Sequence, residues 1–168
     1  LTLAVLATVL VATPTGQGVI ERIATGDDSG RSDLWRIARL QLRDEPLHGV
    51  GLGNYPVVAP RYITIDTENT ELINNGAPRT THNSYLEIAA ELGVLGLLTF
   101  GTFAGGCVLL CIRGLRVARR IGDTVSVPLG RGILAATAGM LASCVFLSGQ
   151  YSELLWLLLS ACMAYHAY

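Results

Sequence analysis

Long apolar runs alternate with polar segments along the chain, and this pattern predicts a set of membrane-spanning helices. Residues 92–112 carry no charge, and neither do residues 132–150. Each run approaches or reaches the roughly 20 residues that a helix needs to cross a bilayer. We therefore predict an all-α, polytopic transmembrane protein and expect the chain to be part of a larger one. The predicted spans are the end of a helix at 1–13, complete helices at 85–112 and 132–149, and a truncated helix at 154–168.

The polar segment at 14–84 is much longer than an ordinary connection, which is typical of a functional or disordered loop. Within it, apolar and basic side chains fall on opposite faces of a helix predicted at about residues 32–43. We expect this amphipathic helix to lie at the membrane surface. Its apolar face comprises Leu34, Trp35, Ile37, Ala38 and Leu42, and its basic face comprises Arg36, Arg39 and Arg43.

A glycine-rich turn follows this helix, at Gly49-Val50-Gly51-Leu52-Gly53-Asn54. It is not a dinucleotide-binding fingerprint, because it follows a helical pattern and lacks the G-x-G-x-x-G spacing. Glycines at alternating positions permit a close backbone approach, either to a neighbouring segment or to a ligand phosphate. The sequence leaves both interpretations open.

Composition and charge support the membrane interpretation. Hydrophobic residues make up 51% of the 168 residues and charged residues only 15%, with a mean hydropathy of +0.46. Five of the twelve basic residues lie between positions 113 and 131. By the positive-inside rule, we predict that this segment is a basic cytoplasmic loop. Residues 14–84 and a short turn at 150–153 are then extracytoplasmic, and no nucleic-acid partner is indicated.

The cysteines and most of the acidic residues indicate no metal site. All four cysteines fall in apolar stretches, where we expect them to pack as small hydrophobic residues. Neither zinc-ligand nor calcium-ligand spacing is present, so we predict no cofactor and a metal-independent activity. Among the acidic residues of the long loop, the scattered ones without ligand spacing are Asp27, Asp28, Asp66, Glu68 and Glu71.

His82 is the strongest candidate for chemistry, because it lies where the long loop meets the clearest span. Histidine is the side chain most readily tuned to accept a proton near neutral pH. A role in capping the helix, together with Asn83 or Ser84, is an equally good interpretation. Glu87 and Glu91 follow one helical turn apart, where they can steady His82 or an arginine, or interact with the helix N-terminus.

Three motifs in this order resemble the O-antigen ligase family of bacterial envelope glycosyltransferases. The resemblance covers residues 31–112, and each motif alone is weak. The motifs are Arg31-Ser32-Asp33-Leu34-Trp35, then Asp44-Glu45-Pro46-Leu47-His48 with the glycine-rich turn, then His82-Asn83-Ser84-Tyr85-Leu86-Glu87 with Glu91-Leu92-Gly93-Val94-Leu95-Gly96.

The resemblance implies transfer of a glycan from a polyprenyl-pyrophosphate carrier to a lipid or glycan hydroxyl, on the outer face of the bacterial inner membrane. It implies that Arg31 holds the pyrophosphate and that His82 is the catalytic histidine. We further expect Arg36, Asn83 and Glu87 to bind substrate. A further essential arginine of the family belongs to an earlier outer loop, so we expect residues 1–168 alone to be inactive.

Other functions remain open at this point. A polysaccharide polymerase or an oligosaccharyltransferase of the same superfamily shares this loop pattern, and the acceptor decides among the three. A transporter or structural membrane subunit is the alternative from another class. Transporters place polar or broken helices at mid-membrane, whereas residues 92–112 contain glycines but no charged group.

Overall fold

The computed structural model describes residues 31–63 and 80–167, and within these ranges every regular element is a helix. The elements are α1 (Arg31–Asp44), α2 (Tyr55–Val58), a 3₁₀ helix (Ala59–Tyr62), α3 (Ser84–Ile121), α4 (Ser126–Ser143) and α5 (Glu153–Ala167). The predicted helix end at 1–13 and the five scattered acidic residues at positions 27, 28, 66, 68 and 71 lie outside the described residues.

Helix α1 covers the helix predicted at about residues 32–43 and extends it by one residue at each end. Its apolar face is covered by protein, since Leu34, Ile37 and Ala38 are 4%, 1% and 1% exposed. This face packs on Tyr55, Ala59 and Ala90. Little of it therefore remains for lipid, and an interfacial position of this helix stays a prediction.

Helix α3 is the long apolar helix of the fold, and its two ends are defined by local signals. Asn83 caps the N-terminus by accepting a hydrogen bond from the N–H of Leu86 at 3.1 Å. Gly122 ends the helix with a left-handed φ of 73°. Among the described residues, α3 is the one helix long and apolar enough to cross a membrane, by length and composition.

Helices α4 and α5 pack against α3 around a second apolar cluster. Its centre comprises Leu155 and Leu159 with all four cysteines, each of which is buried. The prediction that the cysteines pack as small hydrophobic residues is thus confirmed. Tyr165 fastens α5 to the start of α4, where its hydroxyl donates to the Ser126 carbonyl at 2.8 Å.

The basic segment at 113–131 is largely helical and not the loop that we predicted. Helix α3 continues to Ile121, and α4 already begins at Ser126. Arginines are good helix formers and are favourable near a helix C-terminus, so charge alone did not end α3. Asp123 starts α4 by accepting hydrogen bonds from the N–H groups of Val125 and Ser126, both at 2.9 Å.

Helix α4 lies six residues earlier in the chain than the predicted span at 132–149. It ends at Ser143, and residues 144–152 form a longer connection than the predicted turn at 150–153. The carbonyls of Cys144 and Leu147 accept hydrogen bonds from the N–H of Ser84, at 2.8 and 3.1 Å. These carbonyls therefore accept hydrogen bonds from the first residue of α3 and not from a further turn of α4.

Candidate active site

The glycine-rich turn docks onto a break in α3. Gly93 leaves the helical conformation with φ 67° and ψ −166°, so the hydrogen bonds that residues 94 and 95 would make to residues 90 and 91 are lost. The turn restores these partners from the side. Val50 N–H donates to the Ala90 carbonyl at 2.9 Å, and Val94 N–H donates to the Pro46 carbonyl at 2.9 Å.

A second pair of hydrogen bonds repeats this arrangement one residue further on. Gly51 N–H donates to the Glu91 carbonyl at 2.8 Å, and Leu95 N–H donates to the Leu47 carbonyl at 3.4 Å. All four backbone groups freed by the break are thereby satisfied. The second and third motifs of the sequence are therefore two sides of one backbone contact.

Gly49 and Gly93 are required for this contact. A Cβ on Gly49 would lie 2.3 Å from the carbonyl carbon of Glu91, and one on Gly93 would lie 2.3 Å from the carbonyl carbon of Leu47. Both residues also have positive φ. The sequence left two roles open for the glycine-rich turn. Gly49 fulfils one of them, a close backbone approach to a neighbouring segment.

Glu91 lies under the glycine-rich turn and is 1% exposed. Its carboxylate accepts from the N–H of Tyr55 at 3.2 Å and from the hydroxyl of Tyr151 at 2.5 Å. The Tyr55 hydroxyl donates in turn to the Leu34 carbonyl at 2.9 Å. Glu91 thus joins α3 to α2, and through Tyr55 to α1.

The two tyrosines that contact Glu91 both have raised pKa values. Burial, followed by the negative charge of Glu87, raises the pKa of Tyr55 well above its usual value. Burial, followed by the hydrogen bond to Glu91, raises the pKa of Tyr151 in the same direction. Both phenols therefore remain hydrogen-bond donors across the neutral range.

Glu87 is also 1% exposed and holds the segment that precedes α3. Its Oε2 accepts from the N–H of Thr81 at 3.1 Å and from the Ser148 hydroxyl at 2.5 Å. The Thr81 hydroxyl lies 3.0 Å from the same oxygen and 2.7 Å from the Asn83 carbonyl. No arginine among the described residues forms an ion pair with Glu87 or Glu91.

His82 is presented to solvent by this segment. Its backbone has a positive φ of 51°, and its imidazole is exposed. On one side, Thr81 is bound by Glu87, and its carbonyl accepts from the indole N–H of Trp35 at 3.0 Å. On the other side, Asn83 caps α3. The capping role is thus taken by Asn83, which leaves the imidazole available for a substrate.

The Trp35 hydrogen bond brings α1 alongside His82. Arg31 is the first residue of α1, is exposed, and lies one helical turn before Trp35. Arg36 is partly exposed and lies 3.9 Å from the Asp33 carboxylate. The structure therefore places the start of α1 next to the turn that holds His82. The Arg36 side chain instead pairs with Asp33 of the same helix.

Three contacts of the site were not predicted from the sequence: those of Trp35, Ser148 and Tyr151. Trp35 was assigned only to the apolar face of α1, and its indole N–H gave no sign of its partner 46 residues away. Ser148 and Tyr151 bind carboxylates 61 and 60 residues earlier in the chain. The only sequence signal for these contacts was the position of Tyr151 in the predicted turn between two spans.

In the ranges 31–63 and 80–167, these features define a helical fold with a long apolar helix, and buried carboxylates, a histidine and arginines lie near one end of that helix. The chain belongs to the O-antigen ligase family, whose model (Wzy_C, O-antigen ligase) matches residues 1–101. The resemblance predicted from the three motifs is thereby confirmed. No match to the chain is found among curated proteins.

Membership of an integral-membrane family agrees with the candidate span in α3. The matched region ends within α3, so α4, α5 and the connection between them lie outside it.

Proposed function

We propose that this chain carries part of the active site of an envelope glycosyltransferase of the ligase type. The reaction transfers a glycan from a polyprenyl-pyrophosphate carrier to a hydroxyl of a lipid or glycan acceptor, at the outer face of the bacterial inner membrane. The observation that carries this proposal is the presentation of His82, which is exposed, lies between the hydrogen-bonded residues Thr81 and Asn83, and is located at the end of the apolar helix.

In the proposed reaction, the oxygen of the acceptor hydroxyl attacks the anomeric carbon of the carrier-linked sugar. The bond from that carbon to the phosphate oxygen breaks, and its electron pair leaves with the pyrophosphate. His82 accepts the proton of the hydroxyl, which requires a neutral imidazole within hydrogen-bond reach. Holding both substrates in this geometry lowers the barrier further.

Arg31 is proposed to bind the pyrophosphate, on which negative charge develops as the bond breaks. A guanidinium can donate two parallel hydrogen bonds to phosphate oxygens. The position of Arg31 supports this role, because it is exposed at the end of α1 that Trp35 attaches to the His82 turn. Arg36 is a second candidate for substrate contact, since its side chain remains partly exposed.

The substrate-binding roles predicted for Asn83 and Glu87 remain predictions. The contacts of their side chains support an indirect part in catalysis. The Asn83 carboxamide oxygen caps α3, and Glu87 Oε2 binds Thr81 and Ser148. We propose that both residues serve the reaction by fixing the backbone on either side of His82.

The decisive experiment compares His82→Ala and His82→Ser with the wild-type protein. The variants are made in the complete gene product and assayed with carrier-linked glycan and acceptor, after a check of monodispersity in detergent. We expect both to insert normally and to lose transfer, because His82 is exposed and its loss removes the base. A well-folded His82→Ser protein with wild-type turnover would refute the catalytic role.

The pH dependence gives a second test of His82. A general base must be unprotonated to accept the proton of the hydroxyl. Transfer by the wild-type protein should therefore decline with acidification. A helix-capping role predicts no such decline and lets serine or asparagine replace the histidine well.

A further inference from the structure

The connection between α4 and α5, residues 144–152, lies outside the region that matches the family, yet it is bound closely to the start of α3. The Ser84 hydroxyl donates to the Leu147 carbonyl at 2.7 Å and accepts from the N–H of Gly149 at 2.7 Å. Ser148, the residue before Gly149, donates a hydrogen bond from its hydroxyl to the Glu87 carboxylate. The backbone of this connection is therefore fixed where the Ser148 hydroxyl meets the carboxylate.

We infer that Ser148 is a positioning residue for His82, acting through Glu87 and Thr81. This inference rests on the proposed function, because it assigns Ser148 a part in the same reaction. Ser148 itself does not touch the reacting atoms. It would act by fixing the carboxylate that fixes the backbone next to the histidine.

The chain of contacts is continuous and short. Ser148 Oγ lies 2.5 Å from Glu87 Oε2, and the same oxygen accepts from the N–H of Thr81 at 3.1 Å. Thr81 directly precedes His82. A buried carboxylate needs donors for its oxygens, and among the described residues Ser148 is the one donor to this oxygen that comes from outside the His82 turn.

The support from Ser148 matters because the backbone of His82 has an unfavourable conformation. A positive φ at a residue other than glycine persists only where the surroundings fix it. Glu87 and Trp35 supply that constraint at Thr81, and Asn83 supplies it on the other side. Loss of the Ser148 hydroxyl leaves Glu87 free to change its hydrogen bonds, so the imidazole should spend less time in the reactive orientation.

The test replaces Ser148 by alanine and by threonine in the complete protein, with Ser143→Ala as the matched control. Ser143 is the last residue of α4, and in the part of the chain that the structure describes its hydroxyl contacts only Met140 of the same helix. We expect Ser148→Ala to lower kcat on the order of tenfold, with KM for the carrier-linked glycan unchanged. Threonine retains the hydroxyl and should recover most of the rate, and Ser143→Ala should behave as wild type.

A double variant separates positioning from a structural role. If Ser148 acts through His82, adding Ser148→Ala to His82→Ala should not lower the residual transfer any further. A structural role predicts an additional loss in that background, or unfolding of Ser148→Ala in detergent. Ser148→Thr with the low rate of Ser148→Ala would also overturn the inference.

The two proposals fail in different ways. If His82→Ala remains active, the proposed function fails, whatever Ser148 does. If His82→Ala is inactive while folded Ser148→Ala turns over at the wild-type rate, the positioning role alone is wrong.

Discussion

Glu87 and Glu91 lie one helical turn apart, but they support different parts of the site. Glu87 binds Thr81 beside His82, whereas Glu91 binds the N–H of Tyr55 under the glycine-rich turn. Each carboxylate also accepts a hydrogen bond from a hydroxyl of the connection between α4 and α5. Ser148 donates to Glu87, and Tyr151 donates to Glu91. Two carboxylates spaced four residues apart therefore fasten three separate segments to the start of α3.

At this scale the sequence singled out individual positions but not their hydrogen-bond partners. His82, Asn83 and Glu87 were recognisable because they form a local motif at the end of an apolar run. Trp35, Ser148 and Tyr151 were not, since each bonds to a residue at least 46 positions away. Such pairings depend on how the helices pack, and helix packing is not encoded in local spacing.

Arg31 provides a prediction about phosphate recognition. Arg31→Lys keeps the positive charge but loses the planar pair of donors, so transfer should fall on the order of tenfold or more. The loss should appear mainly as weaker use of the carrier-linked donor, measured in a transfer assay at varied donor concentration.

Arg39→Lys is the matched control for this substitution, because Arg39 lies on the same helix and is exposed. We expect it to behave as wild type. Near-normal transfer by Arg31→Lys, combined with inactivity of Arg36→Ala, would show that Arg36 is the phosphate-binding arginine.

At the scale of elements, the glycine-rich turn and the first part of α3 form a single unit. The break at Gly93 would leave four backbone groups without partners, and residues 46–51 supply all of them. Buried backbone groups without hydrogen bonds are costly. The break and the turn therefore depend on each other.

Gly49→Ala tests this dependence, with Gly53→Ala as the matched control. Both glycines have positive φ, which costs an alanine about 1–2 kcal/mol. At Gly53 a Cβ meets nothing within 4 Å, whereas at Gly49 it lies 2.3 Å from the Glu91 backbone. We expect Gly49→Ala to be the more destabilising, by about 2 kcal/mol or more beyond the control.

The measurement is the midpoint of thermal unfolding in detergent, followed by tryptophan fluorescence, together with transfer activity. Gly53→Ala should lower the midpoint slightly and keep transfer. Equal midpoints for the two alanine variants would show that the docking of the turn on α3 contributes little to stability.

Element types were predictable here, and several element boundaries were not. Periodicity predicted α1 to within one residue at each end, and an uncharged run predicted the apolar part of α3. The break at Gly93 was missed because a glycine inside an apolar run does not change hydropathy. The arginines beyond residue 112 were assigned to a loop because their charge was taken to mark the end of the helix. Charge indicates which side of the membrane a segment faces, but it does not end a helix.

At the scale of the whole molecule, two apolar clusters meet along α3. One joins α1 and α2 to the start of α3, and the other joins α4 and α5 to the rest of it. Large apolar side chains remain exposed along α3, including Leu98, Phe103 and Leu109 at 58%, 45% and 56%. An exposed apolar surface on a helix long enough to cross a bilayer fits a membrane environment, with the polar site at one end.

This arrangement leads to a prediction about orientation. Arg113, Arg116, Arg119 and Arg120 lie in the last turns of α3, at the opposite end from His82. The positive-inside rule then places residues 122–125 in the cytoplasm and His82 on the outer face. Single reporter cysteines at Thr124 and Thr67 should therefore differ when intact cells are treated with a membrane-impermeant thiol reagent.

We expect Thr67→Cys to be labelled in intact cells and Thr124→Cys to be labelled only after the cells are opened. The protein without a reporter is the control, and its background should be low because all four native cysteines are buried. Thr124 is exposed, so its protection in intact cells would reflect the membrane and not the fold. Labelling of position 124 in intact cells, with position 67 protected, would reverse the orientation. The proposed site would then face the cytoplasm, away from an acceptor on the outer face.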